Sequence, residues 1–247
     1  MGYAIALAFA TEGARVVVVD RDPDTPSLAV QLGNQSLGFT ADVTNEEAMR
    51  ETAKNVVEQC GRCDHLVFAA AVGSGKLGFP FWELDPGDWD RVLRVNLVGA
   101  VNVAHAFAPG MAKARAGTLL FLASVAGQIG SQTDPPYSAS KAGLINFAQC
   151  AAKDLAPFGV RVNTLCPGMV KTALNRAVYD SWAARQSPGN VPSYDEWAAD
   201  KIHKLVPLDR WQEPEDIAAM AVYLASPRAK NITGQTINVD GGYVMHW

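Results

Sequence analysis

Cysteine is scarce, with four residues among 247, too few for a disulfide framework. Cys60 and Cys63 form a CxxC pair. It follows a helical stretch and precedes a strand, the reverse of the context in which such a pair does redox chemistry. No second pair with ligand spacing accompanies it, and His65, His105, His203 and His246 are scattered. No metal site is expected. Positive charge is not in excess either: 21 Lys and Arg face 25 Asp and Glu, a net charge of −4. That excludes the basic face needed by a nucleic-acid or anionic-membrane binder. No apolar run reaches the ~18–20 residues of a membrane span, and no secretory signal pattern opens the chain. These absences point to a soluble, cytoplasmic protein.

What is present is a core. Hydrophobic residues make up 49% and charged residues only 19%, enough to bury one large domain spanning residues 1–247. Apolar, strand-like runs occur at Arg15–Asp20, Leu37–Thr40, His65–Ala70, Gly117–Ala123, Val160–Cys166 and Gln235–Val239. Helical patterns at Tyr3–Thr11, Asn45–Gln59, Trp89–Met111, Ser138–Ala156 and Pro214–Ala225 alternate with them. Strands that are apolar on both faces, separated by helices, indicate an α/β fold with a doubly wound, Rossmann-like parallel sheet. Ligands of such sheets bind at the carboxyl ends of the strands. One segment breaks the rhythm. Residues 173–208 contain Trp182, Tyr194, Trp197 and three prolines and show no strand pattern. An excursion of this length reads as a substrate lid, or more plainly as a surface or oligomer-contact segment.

The most informative stretch is Tyr137-Ser138-Ala139-Ser140-Lys141. On a helix, the i, i+4 spacing puts the phenol and the ammonium on one face. A tyrosine acting as a base near pH 7 must move its pKa by roughly 3 units, or ~4 kcal/mol. A cation 4–5 Å away supplies ~3–4 kcal/mol at an effective dielectric of 20. Alone, the spacing is met equally by two solvated side chains. Its companions change that. Ser124 closes a strand thirteen residues earlier, and Asn96 lies inside a long helical stretch. Pro167-Gly168-Met169-Val170-Lys171-Thr172 and Asp240-Gly241-Gly242 each follow a strand.

Taken together, these motifs resemble the short-chain dehydrogenase/reductase family, single-domain type, from Gly2 to the C-terminus. The resemblance implies that Tyr137 donates and accepts the proton and that Ser124 hydrogen-bonds the reacting oxygen. Lys141 would tune Tyr137 and bind the nicotinamide ribose, and Asn96 would hold a water linking Lys141 to solvent. Val170 and Thr172 would secure the carboxamide, and Asp42-Val43 would contact the adenine. Gly2 and Ala69 would border the cofactor, together with Tyr137 and Lys141. Asp20, closing its strand, can accept from the adenosine ribose hydroxyls and would repel a 2′-phosphate, favouring NAD over NADP. Arg21 is the counter-indication, since it could pair with that phosphate.

Two departures from the family pattern stand out. The family's Asn-Asn-Ala-Gly is replaced by Phe68-Ala69-Ala70-Ala71. In addition, the strand and glycine-rich turn that should precede the first helix are missing, with only Met1 ahead of Gly2. Met1-Gly2-Tyr3 resembles the tail of that turn. Without the strand, two central strands are expected to keep unpaired edges, unless the sheet closes the gap or another subunit fills it. The expected activity is NAD-dependent hydride transfer between a nicotinamide and a secondary alcohol or ketone of polyol, hydroxyketone or 3-oxoacyl type. The alternatives are a non-catalytic or weakly active family member serving as a subunit, and an epimerase or dehydratase. A homo-oligomer, tetramer or dimer, is expected from the apolar circumference of the helices carrying Asn96 and Tyr137.

Overall fold

A computed structural model describes residues 1–131, 133–187, 189 and 191–245. His246, one of the scattered histidines, lies outside the described residues. All six strand runs form strands: β1 (Val17–Asp20), β2 (Leu37–Thr40), β3 (His65–Phe68), β4 (Gly117–Leu122), β5 (Val160–Pro167) and β6 (Thr236–Val239). Every pairing among them is parallel. The helices are α1 (Gly2–Thr11), α2 (Thr25–Val30), α3 (Glu46–Cys60), α4 (Pro86–Leu93), α5 (Gly99–Ala114), α6 (Pro135–Leu155), α7 (Ala173–Ala183), α8 (Tyr194–Leu205) and α9 (Pro214–Ala225). Three of these, α2, α7 and α8, have no counterpart in the sequence reading.

The pleat of β4 organises the core. Leu119 and Phe121 point to one face, with Leu144 and Ala148 of α6 and with Val103, Phe107 and Met111 of α5. Leu120 and Leu122 point to the other, with Ile5 of α1 and with Ile217, Ala221 and Leu224 of α9. A period of two thus sends alternate residues into separate helical layers. Burying each of the larger side chains among them, Val to Phe, contributes about 1.5–3 kcal/mol.

The sheet is interrupted. β1 pairs only with β2, while β3, β4, β5 and β6 form a separate four-stranded sheet in that order. β1 and β3 do not pair, so each keeps one free edge, as expected for a sheet without its central first strand. The gap stays open as a cleft of about 1120 Å³.

The run Pro86–Ala114 corrects the reading of apolar lengths. It is a continuous helical stretch of 29 residues, apolar enough by length and composition to cross a membrane. Counting uninterrupted apolar residues missed it because polar residues such as Asn96, Asn102 and His105 punctuate the pattern. Its buried side, Ala100, Val103, Ala104, Phe107 and Met111, belongs to the main core. Leu97 and Phe147 also pack against that core, whereas Val98 and Val101 remain exposed.

Candidate active site

Helix α6 starts where its sequence dictates. Asp134 occupies the N-cap position, and Pro135 and Pro136 fill the first turn, where a missing N–H costs nothing. The buried face then runs through Lys141, Leu144, Ala148, Ala152 and Leu155, at helical spacing. Tyr137 and Lys141 therefore face the sheet side by side, with the Lys141 Nζ 5.4 Å from the centre of the Tyr137 ring.

Ser124 lies just past β4, as N-cap of a one-turn 3-10 helix, Val125–Gly127, and its hydroxyl accepts from the Ala126 amide at 3.1 Å. That turn is pressed onto α6. The Ser138 hydroxyl donates to the Ala126 carbonyl. A Cβ on Gly127 would come within 2.7 Å of the Lys141 carbonyl carbon and 2.8 Å of the Ala142 nitrogen. Only a glycine lets the two backbones approach this closely.

The electrostatics differ from the simple picture of a lysine acidifying its neighbour. Lys141 is 2% exposed, and its ammonium donates to the Leu122 carbonyl at 2.7 Å. Burial pushes its pKa down to about 8. Burial pushes the Tyr137 phenol up to about 12, against a hydrogen bond with Ser124 that pulls it down. The negative charge of Asp134 also raises it. In this arrangement the ammonium serves the backbone and does not offset the desolvation of Tyr137.

Asn96 is fully buried in a π-helical turn, Arg94–Val98, a local widening often found at functional sites. Its Oδ1 accepts from the Val72 amide at 2.8 Å. Its Nδ2 donates to the Val72 carbonyl at 3.0 Å and to the Ser140 hydroxyl at 2.9 Å. It thereby ties the segment after β3 to α6.

The residues assigned to the cofactor gather at the carboxyl ends of the strands. Asp20 ends β1, exposed, and its Oδ1 accepts from the Asp22 amide at 3.1 Å. Asp42 follows β2. The Thr44 amide and hydroxyl, both at 2.8 Å, hold its carboxyl below the usual range. The Val43 carbonyl accepts from Asn102 at 2.9 Å, and the Val43 side chain fills the space a Cβ on Gly99 would need. Ala69 follows β3 and faces Gly2, the first residue of α1. Beyond β5, Val170 bridges to Gln212, and Thr172 caps α7 through the Asn175 amide at 3.3 Å. The set comprises a helix N-terminus, two carboxylates and small side chains.

Sequence reasoning passed over three side chains here. Asp134 is buried, and its Oδ2 accepts from the Ser74 amide at 2.9 Å. Its place three residues before Tyr137, ahead of two prolines, was a readable capping signal. Gln212 accepts from the Gly168 amide at 3.1 Å and donates to the Val239 carbonyl, joining the loops after β5 and β6. The Cys166 thiol lies beside Lys141 and the Ser124 amide, its pKa pushed up to about 12 by burial. No local pattern marks the last two. Among the described residues no three His, Cys, Asp or Glu side chains gather as a metal site.

The 173–208 segment is two helices joined by aromatic packing. Tyr179 meets Tyr194 and Trp197 edge-on at 5.5 Å, and Trp211 packs on Tyr194 at 5.9 Å. Arg185 ties α7 to the segment after β3 through the Gly78 and Leu77 carbonyls at 2.7 and 3.0 Å.

The buried ammonium makes a stability measurement decisive. The folded protein releases the Lys141 proton near pH 8, whereas the unfolded chain holds it to 10.5. Stability is therefore gained as pH rises between those values. Lys141→Met should raise the melting temperature at pH 7 by a few degrees, and the advantage should shrink from pH 8 to 10.5. A lower melting temperature for the variant at pH 7 would show that the ammonium stabilises the fold.

Comparison with known proteins shows the family. Residues 1–244 match the family model described as Enoyl-(Acyl carrier protein) reductase. The 3-oxoacyl-(acyl-carrier-protein) reductase FabG of Vibrio harveyi is 32% identical over 246 residues, covering 99% of this chain and 93% of that protein. D-threitol dehydrogenase of Mycolicibacterium smegmatis is 34% identical over 249 residues, covering 99% and 89%. A crystal structure of NAD+-bound xylitol dehydrogenase aligns with a TM-score of 0.88 at 28% identity, over 98% of this chain and 94% of that one. ElxO with NADP bound shares the fold, with a TM-score of 0.85 at 24% identity over 98% and 93%. The chain belongs to the short-chain dehydrogenase/reductase family, whose members are nicotinamide-dependent oxidoreductases acting on CH–OH or keto groups.

Proposed function

We propose that the protein is an NAD-dependent dehydrogenase interconverting secondary alcohols and ketones, with small polyols and hydroxyketones as the leading substrate class. The observation that carries this reading is the alignment of a partly buried Tyr137 and a buried Lys141 on one face of α6, with Ser124 hydrogen-bonding the phenol. Among the relatives, threitol and xylitol dehydrogenases are named for polyols. A 3-oxoacyl substrate is the second reading, favoured by the FabG relative. All these relatives are reductases or dehydrogenases, which lends no support to an epimerase, a dehydratase or a non-catalytic subunit.

The residues at the strand ends fit a dinucleotide. The N-terminus of α1 at Gly2 presents amides to an anionic phosphate. Ala69 leaves room for close approach, and Val170 and Thr172 border the nicotinamide end. The exposed Asp20 carboxylate suits ribose hydroxyls and opposes a 2′-phosphate. When bound, the nicotinamide supplies the hydride donor or acceptor. Ser124 holds the reacting oxygen by a hydrogen bond, and Tyr137, a phenol that is neutral at pH 7 and held further from ionisation by burial, delivers a proton to that oxygen in the reductive direction. Lys141, with its pKa near 8, is poised to carry the proton that replenishes the phenol. Asn96 fixes the packing of α6 behind it.

Tyr137→Phe should lower kcat for ketone reduction by at least ~100-fold, while NADH binding followed by fluorescence stays intact. Near-normal turnover by that variant would remove Tyr137 from proton transfer. Asp20→Ser should improve kcat/KM with NADPH relative to NADH. A parent enzyme that already prefers NADPH would overturn the charge argument for Asp20.

A further inference from the structure

We propose, resting on the role given to Ser124 above, that Gln128 and Asn238 are positioning residues for it: a facing pair of carboxamides that braces the far end of the Ser124 turn against β6. The Gln128 Nε2 donates to the Asn238 Oδ1 at 2.6 Å, and the Asn238 Nδ2 donates back to the Gln128 Oε1 at 3.0 Å. The two residues lie 110 positions apart in the chain. Two opposed hydrogen bonds fix both the distance and the relative orientation of the groups they join.

The turn has need of such a hold. Ser124 and Gln128 are the two caps of the one-turn 3-10 helix Val125–Gly127. Within it the Gly127 amide donates to the Ser124 carbonyl and the Gln128 amide to the Val125 carbonyl, both at 2.9 Å. The turn therefore moves as one piece. Its near end is fastened to β5, where the Ala123 amide donates to the Leu165 carbonyl at 2.8 Å. Its middle is packed on α6 through Gly127. Two attachments leave a rigid body free to rotate about the line joining them. Such a rotation swings the Ser124 hydroxyl relative to the phenol while the fold stays intact. The amide pair adds a third attachment, on β6, that opposes it.

The β6 side of the pair is itself held. Asn238 is the register partner of Cys166 on β5. Its neighbours Ile237 and Val239 pack in the layer with α9, so the pleat turns Asn238 to the opposite face. There Cys166 packs with Ala123, Val125 and Ile145 of α6. The Asn238 Nδ2 also donates to the Val244 carbonyl at 2.9 Å. The Asp240 carboxylate accepts from the Gly242 and Val244 amides at 2.9 and 2.7 Å, and Tyr243 and Val244 pack on the same apolar cluster. Apolar side chains would fill this space equally well but would set no orientation. The carboxamides do.

Exchanging the two side-chain lengths tests the brace in the full 247-residue chain. Gln128→Asn shortens the bridge by one methylene, Asn238→Gln lengthens it by one, and the two together restore its span. Each single variant should lower kcat for ketone reduction at least ~10-fold, short of the ~100-fold of a full 1 Å misplacement, with NADH affinity unchanged within about twofold. Each should also speed hydrogen exchange of the Gly127 and Gln128 amides. The double variant should restore that protection and bring kcat back to within about threefold of the parent. In a Ser124→Ala background, Gln128→Asn should cost no further kcat, because the pair acts through the hydroxyl. Parent kcat in both single variants, no recovery in the double variant, or an additive loss in the Ser124→Ala background would overturn the brace. A double variant that fails to fold would overturn it too, by making the pair a packing element of β6. Faster exchange in the single variants, with Ser124→Ala at the parent kcat, would keep the brace and contradict the catalytic role of Ser124.

Discussion

The approach of the turn Val125–Gly127 to the backbone of α6 sets the geometry on which the rest of the site depends. Ser124 is anchored to β4, whereas Tyr137 and Lys141 ride on a helix that begins more than ten residues later in the chain. Nothing covalent sets their spacing. The Gly127 backbone packed against Lys141 and Ala142, and the hydrogen bond from Ser138 to Ala126, do so. The same contact drives the Lys141 side chain inward, where the Leu122 carbonyl receives its ammonium. The serine, tyrosine and lysine are thus held by one strand, one turn and one helix pressed together.

The cost of this arrangement is a desolvated cation. Lys141 has one neutral acceptor in the described contacts and carries a pKa lowered to about 8. Buried groups with displaced pKa values concentrate at functional sites because chemistry near neutral pH needs them. Tyr137 is displaced the other way, to about 12, so the pair is biased toward a neutral phenol beside a lysine that gives up its proton easily. That is the protonation state suited to reduction, and oxidation requires the environment to change when the other reactants are bound.

Much of this was legible in the sequence, and the reasons are local. The six strands announced themselves as short apolar runs between helices, and Tyr137 and Lys141 as an i, i+4 pair beside Ser124. The gap beside β1 was readable too, since Gly2 already opens a helix. What was not legible depends on segments meeting in space. Helices α7 and α8 draw their stability from the cluster of Tyr179, Tyr194 and Trp197, which no single window reveals. Gln212 and Cys166 acquire meaning only through the Gly168 and Ser124 amides. The turn of Lys141 toward the backbone instead of the phenol follows from burial, which spacing alone does not report.

The backbone contact at Gly127 fixes the distance between Ser124 and the Tyr137–Lys141 pair, and Gly127→Ala breaks that contact. The added methyl would sit 2.7 Å from the Lys141 carbonyl carbon, so the turn and the helix must separate. The variant should lose kcat on the order of 100-fold, the scale of a 1 Å misplacement of reacting groups, with NADH affinity unchanged within about twofold. A variant that binds NADH normally and keeps the parent kcat would contradict that role of the contact.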